Sequence, residues 1–185
     1  MALELSILIA TMPTRLKCFS ELISDLNSQI KKCNAIFNIE IITDESMDYN
    51  VGIKRNKLLN LANGKYIVYA DDDDFISPNY ISLILQAIKS DADCIGINGT
   101  ITTDGKNKKQ WFISKEYGKW FEKNNIYYRT PNHISPVKRE LALKAGFPNI
   151  SFAEDAEYSK RLLPLLKTET IIKETIYHYA YISRK

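Results

Sequence analysis

The chain has 185 residues, enough for one domain with a hydrophobic core of its own. Its hydrophobic fraction of 45% and charged fraction of 25% are ordinary for globular proteins and exclude the disordered, collagen-like and coiled-coil classes. The net charge of +3 is too small for the basic surface of a dedicated nucleic-acid binder, so we expect no nucleic-acid partner.

Neither disulfides nor membrane insertion are indicated by the sequence. The three cysteines, Cys18, Cys33 and Cys94, are an odd number without a CxxC pair, which argues against a disulfide framework or a cysteine zinc site. The apolar run near the N-terminus has no basic segment before it, and no run approaches the ~20 residues that cross a bilayer. We therefore expect a cytoplasmic protein.

The first hundred residues are predicted to alternate strands and helices. Thr14 is the expected N-cap of the first helix, Ser77 and Pro78 begin the third, and the second should expose Lys54 and Arg55. Strands are expected at 3–10, 37–43, 66–70 and 93–102, and helices at 15–30, 51–62 and 77–89. This alternation predicts an open, mostly parallel α/β sheet with helices on both faces.

The second half is predicted to be less regular and to add a small antiparallel extension. Residues 103–106 indicate a hairpin turn into a strand at 109–114, followed by an irregular segment up to Pro136. Helices are expected at 137–145 and 152–163, and strands around 171 and at 176–179. No linker or internal repeat divides the sequence, so we expect a single domain over 1–185.

Polar residues follow three of the predicted strands. Thr11 follows the first, Asp44 the second, and the four aspartates 71–74 the third. In an open parallel sheet, ligands bind beyond the carboxyl ends of the strands. The sequence therefore predicts a ligand crevice at this edge.

The run of four aspartates points to a cation. Adjacent carboxylates repel one another, and a folded chain tolerates them mainly where a cation or a proton offsets their charge. Mg²⁺ and Mn²⁺ sites use one or two carboxylates with oxygens of a substrate phosphate, and Asp71 and Asp73 face the same side of an extended turn. The alternative is a solvated acidic turn at the N-terminus of the helix near Pro78.

The common nucleotide-binding loops are missing from the sequence. No GxGxxG follows the first strand, and residues 63–66 lack the pattern of a phosphate-binding loop. A nicotinamide enzyme and an ATPase therefore lose their main support.

The central run VGIKRNKLLNLANGKYIVYADDDDFISPNYI resembles the family 2 nucleotide-sugar glycosyltransferases, which have the GT-A fold and a DxD motif. IEIITDES before it and FAEDAEYSKRL after it extend the resemblance over most of the chain. The resemblance implies a nucleotide-sugar-binding half at 1–102 and an acceptor and catalytic half at 103–185. It also implies a Mn²⁺ or Mg²⁺ cofactor and a nucleotide-sugar donor, with UDP favoured.

The resemblance also implies roles for individual residues at the strand ends. Thr11 and Asp44 would line the nucleoside pocket, and Arg55 would lie near the nucleotide. Asp71 would lie near the ribose, Asp72 would also bind the nucleotide, and Asp73 would hold the metal. At residues 44–48 the chain has DESMD where the family has DDGSxD, so the preferred nucleobase stays open.

The Glu154-Asp155 pair occupies the place of the family's acidic pair, from which one carboxylate deprotonates the acceptor hydroxyl. Asp155 is the first choice and Glu154 the second. A positioned carboxylate speeds such a proton transfer by ~10²–10⁴. The alternative is ordinary negative charge at the N-terminus of a helix.

Two histidines and two tryptophans complete the candidate residues. His178 would reach the metal or the diphosphate, or else it is a hydrogen-bonded core histidine. His133, in a proline-flanked loop, would contact the acceptor or the diphosphate. Trp111 and Trp120 would face a sugar, although large aromatic rings more often belong to the core.

The residues and the resemblance together predict a metal-dependent glycosyltransferase acting on a hydroxyl acceptor, a glycan or another alcohol. The resemblance further implies that the reaction inverts the anomeric centre. A non-catalytic nucleotide- or glycan-binding module of the same fold is the main alternative. An aspartate-dependent phosphatase is a weaker one, because its DxDx[TV] motif is not matched by DDDDF.

Overall fold

The computed structural model describes residues 3–36 and 38–183, which form an α/β domain built on one ten-stranded sheet. The strands are β1 Leu5–Ala10, β2 Ile39–Asp44, β3 Tyr66–Tyr69, β4 Phe75–Ile76, β5 Cys94–Thr103, β6 Lys106–Ile113, β7 Phe121–Lys123, β8 Ile126–Arg129, β9 Val137–Lys138 and β10 Glu169–Tyr181. The helices are α1 Leu16–Lys32, α2 Val51–Leu61, α3 Tyr80–Ile88, α4 Arg139–Ala145 and α5 Glu154–Leu162. No helix among the described residues is long and apolar enough to cross a bilayer.

The sheet order is β2-β1-β3-β9-β5-β6-β8-β7. Strand β1 lies parallel to β2 and β3, as the strand-helix alternation predicts. The short strand β9 is antiparallel to both of its neighbours and separates β3 from β5. Strand β10 returns parallel to β5 and also pairs with β4. The predicted mixed architecture, mostly parallel with an antiparallel extension, is confirmed.

Helices cover both faces of the sheet, because the side chains of β1 alternate between two cores. On one face, Leu5, Ile7 and Ile9 pack with apolar residues of α1 and α3. On the other, Leu8 packs with residues of α2, α4 and α5. Since α2 and α5 lie on the same face, charged residues from the two helices can meet at the end of the sheet.

Several helix boundaries differ from the predicted ones. Thr14 is not an N-cap, because a 3₁₀ turn over Pro13–Arg15 comes before α1 and no side chain caps the helix. Helix α3 begins at Tyr80 rather than at Ser77, whose N–H donates to the Ile176 carbonyl. The predicted strand at 37–43 begins at Ile39, and its position 37 lies outside the described residues.

Two predictions about the second half are wrong. The segment predicted as irregular contains the β7–β8 hairpin, whose turn residues Asn124 and Asn125 adopt φ values of 53° and 62°. The two strands predicted near the C-terminus are one strand, β10, with irregular pairing between Ile171 and Tyr177. By contrast, the hairpin turn predicted at 103–106 is confirmed, with Asp104 and Gly105 both at positive φ.

Helix α2 packs so closely on the 148–150 loop that its first turn requires glycine. A Cβ at Gly52 would lie 2.0 Å from the Pro148 carbonyl oxygen, and the Gly52 N–H donates to the Ile150 carbonyl at 3.3 Å. This contact joins α2 to the loop that leads into α5.

We expect Gly52→Ala to destabilise the protein by about 1–3 kcal/mol, since the added methyl group must displace backbone. In an ordinary helix the same change stabilises the protein by ~0.5–1 kcal/mol. A loss of stability would therefore indicate the close contact with the loop. Urea unfolding of Gly52→Ala beside Asn60→Ala, at an exposed position of α2, measures it. A Gly52→Ala variant as stable as the wild type would show that the loop is not packed as described.

Candidate functional site

The carboxyl ends of β1 and β3 are joined by a buried polar cluster. The Thr11 hydroxyl donates to Asp72 Oδ2 at 2.6 Å, and Arg15 Nη1 donates to Asp72 Oδ1 at 2.7 Å. Lys54 Nζ donates to the Thr11 carbonyl at 2.7 Å. Thr11 and Asp72 are buried, so their side chains hold the strand ends together. Their predicted contact with a nucleotide stays a prediction.

Asp44 lies beside this cluster at the end of β2. The Thr11 N–H donates to the Asp44 carbonyl at 2.9 Å, and the Ser46 N–H donates to Asp44 Oδ1 at 2.8 Å. Partial burial acts to raise the pKa of Asp44, but the hydrogen bonds from Ser46 and the charge of Lys54 hold it below its usual value. The structure therefore brings Asp44 to the same edge as Thr11, as predicted.

A buried guanidinium connects β3 to α5. Arg55 Nη2 donates to Asp71 Oδ1 at 3.0 Å, and Arg55 Nη1 donates to Glu154 Oε1 at 2.7 Å. The rings of Tyr69 and Phe147 lie 5.8 and 5.7 Å from the guanidinium carbon. One cation is thus shared by a carboxylate on each side of the site.

Lys54 and Arg55 are buried, with 6% and 5% of their surfaces exposed, which corrects the prediction that α2 turns them to solvent. The physical reason is that both cations have buried oxygen partners at the sheet edge. Helix α2 is aligned by its N-cap, since the Asn50 side chain accepts from the Ile53 N–H.

His133 lies between Asp71 and Asp155. Its Nε2 is 3.0 Å from Asp71 Oδ2, and its Nδ1 is 4.0 Å from Asp155 Oδ2. Burial alone would raise the pKa of Asp71, but His133 and Arg55 hold it well below its usual range. Nδ1 is buried and makes no hydrogen bond with any described residue. The structure thus brings His133 into the site through two carboxylates.

Glu154 and Asp155 begin α5 and differ in environment. Glu154 is buried against Arg55, whereas Asp155 is partly exposed in a cavity of about 310 Å³. Asp155 Oδ1 accepts from the Ala156 N–H at 2.8 Å, which leaves Oδ2 toward His133. Ala153, just before the pair, adopts a left-handed conformation with φ of 60°.

The remaining two aspartates are also unequal. Asp74 is buried and accepts from the Ala180 N–H at 2.9 Å; burial and the charge of Asp71 raise its pKa well above the usual value. Asp73 is partly exposed, with Oδ2 at 3.1 Å from Arg15 Nη1. Partial burial and the charges of Asp71 and Asp72 raise its pKa, although Arg15 opposes the shift. Asp73 is therefore the most accessible carboxylate of the run.

His178 lies between two threonines. Its Nδ1 is 2.8 Å from the Thr100 hydroxyl and its Nε2 is 3.1 Å from the Thr102 hydroxyl. Within 3–36 and 38–183, no group of three or more His, Cys, Asp or Glu side chains could by itself hold a metal ion. His178 is partly exposed and both of its ring nitrogens lie within hydrogen-bond distance of a threonine hydroxyl. Metal ligation by His178 stays a prediction.

The two tryptophans occupy different environments. Trp111 lines the cavity, but it is buried and its Nε1 donates to the Thr100 carbonyl at 2.9 Å. Trp120 is not among the lining residues; its Nε1 donates to Thr130 Oγ1 at 2.9 Å. A direct sugar contact by either ring stays a prediction.

Three cations at this edge were not predicted to belong to it: Arg15, Lys54 and Arg129. Arg15 and Thr11 both follow β1 at the carboxyl edge, so the strand-end rule could have found Arg15. Lys54 directly precedes Arg55 on α2, but no local pattern shows that its ammonium group is buried. Arg129, at the end of β8, lines the cavity together with Asp155.

We expect Arg55→Met to destabilise the protein by about 3–5 kcal/mol at neutral pH, because the buried Glu154 and the partly exposed Asp71 lose their shared cation. The loss should shrink as the pH falls. Asp71 has a depressed pKa in the wild type, so its contribution is lost only at strongly acidic pH. At mildly acidic pH the unpaired carboxylates of the variant become protonated, which relieves the cost of their buried charge.

Urea unfolding between neutral and mildly acidic pH tests this expectation. Lys57→Met, which removes an exposed positive charge from the same helix, is the control and should cost less than about 1 kcal/mol. A similar, pH-independent loss in both variants would show that the Arg55 ion pairs do not matter for stability.

Comparisons with known proteins agree with the geometry. A family model described as glycosyl transferase family 2 matches residues 24–146. The fold is similar to S. aureus TarS 1–349 in complex with UDP-GlcNAc, with a TM-score of 0.70 at 15% identity, covering 99% of this chain and 60% of that one. A second crystal structure of S. aureus TarS 1–349 has a TM-score of 0.69 at 16% identity, covering 96% of this chain and 60% of that one.

The chain spans about 60% of those TarS chains, and at such identities the likeness concerns the fold. No curated protein matches the chain by sequence. The GT-A fold expected from the sequence is confirmed. Since the family model covers about two thirds of the chain, the protein belongs to glycosyl transferase family 2.

Proposed function

We propose that this chain transfers a sugar from a nucleotide-diphosphate sugar to the hydroxyl group of an acceptor. The observation that carries the proposal is the shared ion pair: Arg55 joins Asp71, on the predicted donor side, to Glu154, beside the partly exposed Asp155. A cavity of about 310 Å³ lies between these groups. The two halves of a transfer reaction would therefore meet in one place.

The donor would bind along the carboxyl ends of β1, β2 and β3. The position of Asp44 at the open edge supports a contact with the nucleoside, and Asp71, at the end of β3, would recognise the ribose. UDP is the favoured nucleotide, since the similar S. aureus TarS structures were solved with UDP-GlcNAc and with UDP.

Asp155 is the better candidate for the base. Glu154 is committed to Arg55 at 2.7 Å, and removing its charge would break that buried ion pair. Asp155 makes no ion pair with a Lys or Arg among the described residues, and its nearest basic group is His133, 4.0 Å away. Its Oδ2 can therefore take the proton of an acceptor hydroxyl as the new glycosidic bond forms.

His133 would stabilise Asp155 after that proton transfer. When the imidazole is neutral and its Nε2–H donates to Asp71, Nδ1 carries a lone pair that faces Asp155 Oδ2. A protonated Asp155 can donate to this lone pair after a small movement. Asp71 would thus keep His133 in the tautomer that the base requires.

Asp73 fits a divalent cation that completes its coordination with the donor diphosphate. Its carboxylate is partly exposed, Arg15 contacts only one of its oxygens, and Asp71 and Asp72 add negative charge nearby. Mn²⁺ or Mg²⁺ there would offset the charge of the departing nucleotide diphosphate.

Direct displacement with Asp155 as base would invert the anomeric centre, through a transition state with oxocarbenium character. No second carboxylate is needed as a nucleophile in this scheme. The burial of Glu154 against Arg55 agrees with a single reacting carboxylate in the pair.

We expect Asp155→Asn to lower sugar transfer by at least ~10²-fold and to leave donor affinity close to wild type, because a general base acts in the transition state. UDP and UDP-GlcNAc affinities are measured by calorimetry. Transfer is measured as UDP release from a panel of UDP-sugars with alcohol and glycan acceptors.

Glu154→Gln is the matched variant from the same pair. It should lower the stability of the protein more than the rate of sugar transfer, because it removes one ion pair of Arg55. Full activity in Asp155→Asn with collapse in Glu154→Gln would make Glu154 the base. If the wild type binds the donor but transfers no sugar to any acceptor, the non-catalytic module is the better description.

We expect Asp73→Asn to remove most of the increase in UDP affinity that Mn²⁺ brings, by at least about tenfold, and to leave the fold intact. Calorimetry with Mn²⁺ and with a chelator measures the increase in each variant. Glu140→Gln, at an exposed position of α4, is the control. An unchanged Mn²⁺ increase in Asp73→Asn would remove Asp73 from the metal site.

A further inference from the structure

The cavity beside Asp155 has a second arginine in its wall. Arg129 is the last residue of β8, is half-buried, and lines the cavity together with Asp155 and His133. Its backbone is fixed in the sheet, since its carbonyl accepts from the Ser114 N–H at 3.0 Å. The guanidinium therefore stands at a defined place at the cavity wall.

Aromatic rings hold the Arg129 side chain. Its guanidinium carbon lies 4.4 Å from the centre of the Trp120 ring and 5.8 Å from that of Tyr127. Trp120 is fixed in turn by the hydrogen bond of its Nε1 to Thr130. Such stacking holds a guanidinium in place while its N–H groups stay available to another partner.

A buried hydrogen-bonded chain connects this arginine to the helix that carries the candidate base. The Thr130 and Ser159 hydroxyls are 2.6 Å apart, and Ser159 donates to the Pro131 carbonyl at 2.7 Å. Ser159 belongs to α5, which begins with Glu154 and Asp155. These hydrogen bonds join the segment that follows Arg129 to the helix that begins with Glu154 and Asp155.

The two arginines of the cavity differ in their partners. Arg55 donates to Asp71 and Glu154, so its charge is already neutralised. Arg129 makes no ion pair and no side-chain hydrogen bond with the residues described, although Glu154 and Asp155 line the same cavity. A half-buried guanidinium whose N–H groups have no protein partner among the described residues is available to bind an anion.

We propose that Arg129 binds an anionic group, a phosphate or a carboxylate, on the acceptor. This inference rests on the proposed function and adds the chemical class of the acceptor to it. A guanidinium matches the geometry of both groups, because two parallel N–H donors meet two oxygens. An anion held there would present a nearby acceptor hydroxyl to Asp155.

The donor diphosphate has the same chemistry, but the structure favours the acceptor. The predicted donor residues lie at the ends of β1, β2 and β3, in the first half of the chain. Arg129 lies in the second half and is connected to α5, which carries the candidate base. A group bound by Arg129 would therefore occupy the acceptor side of Asp155.

The test is a calorimetric titration of inorganic phosphate into the full chain, with and without saturating UDP and Mn²⁺. We expect phosphate to bind the wild type in both conditions and Arg129→Gln to bind it at least about tenfold more weakly. UDP affinity should be the same in both proteins. Lys123→Gln, which removes a positive charge from the exposed strand β7, should change neither affinity.

Arg129→Lys is the second variant, in case Arg129→Gln does not fold as judged by its melting temperature. It keeps the charge and loses the paired donors, so phosphate affinity should fall between those of the wild type and Arg129→Gln. A second readout is the rate of sugar transfer from a UDP-sugar to two matched acceptors, glycerol and glycerol 3-phosphate. Preference for the phosphorylated acceptor should disappear in Arg129→Gln.

Equal phosphate affinity in the wild type and both variants, or no phosphate binding by the wild type, would overturn the proposal. If UDP displaces phosphate and its own affinity falls in Arg129→Gln, the arginine serves the donor diphosphate and the acceptor assignment is wrong. The proposed function itself fails if the wild type does not bind a UDP-sugar. In that case the phosphate titration without UDP still tests the role of Arg129.

Discussion

The site depends on the burial of one positive charge. Arg55 lies between Asp71 and Glu154, and each of these carboxylates would be costly to bury alone. Asp71 is fixed to the end of β3, whereas Glu154 begins a helix 99 positions along the chain from Arg55. Their shared cation makes the end of the sheet and the start of α5 one electrostatic unit. The close contact of α2 with the 148–150 loop places Arg55 within reach of both carboxylates.

The sequence predicted the strand ends well because their signals are local. An apolar run followed by Thr11, by Asp44 or by the aspartate run marks a buried strand and its polar end within a few residues. The type I′-like hairpin at Asp104-Gly105 has an equally local signature. For the same reason the fold class, the Glu154-Asp155 helix start and the crevice edge could all be predicted before the structure.

The rest could not be predicted, because it depends on partners distant in the chain. Consecutive charged residues on a helix predict a solvent-exposed face. Arg55 is nevertheless buried, because it pairs with carboxylates 16 and 99 positions away in the chain. The β7–β8 hairpin turns on two asparagines with positive φ, a weaker signal than Asn-Gly. Trp120 was considered for a sugar, but only the tertiary structure shows its ring against Arg129.

The left-handed backbone at Ala153 has a consequence for how α5 can vary. An L-residue with a Cβ costs roughly 1 kcal/mol in this conformation, and glycine would remove that strain. Glycine would also allow more backbone conformations at this position, so the loop with the exposed Phe152 could join the helix in more orientations. Alanine at this position therefore costs some folding stability but restricts the backbone conformations that lead into the first turn of α5. On this view the orientation of Asp155 is set by the backbone before it, as much as by the side chains around it.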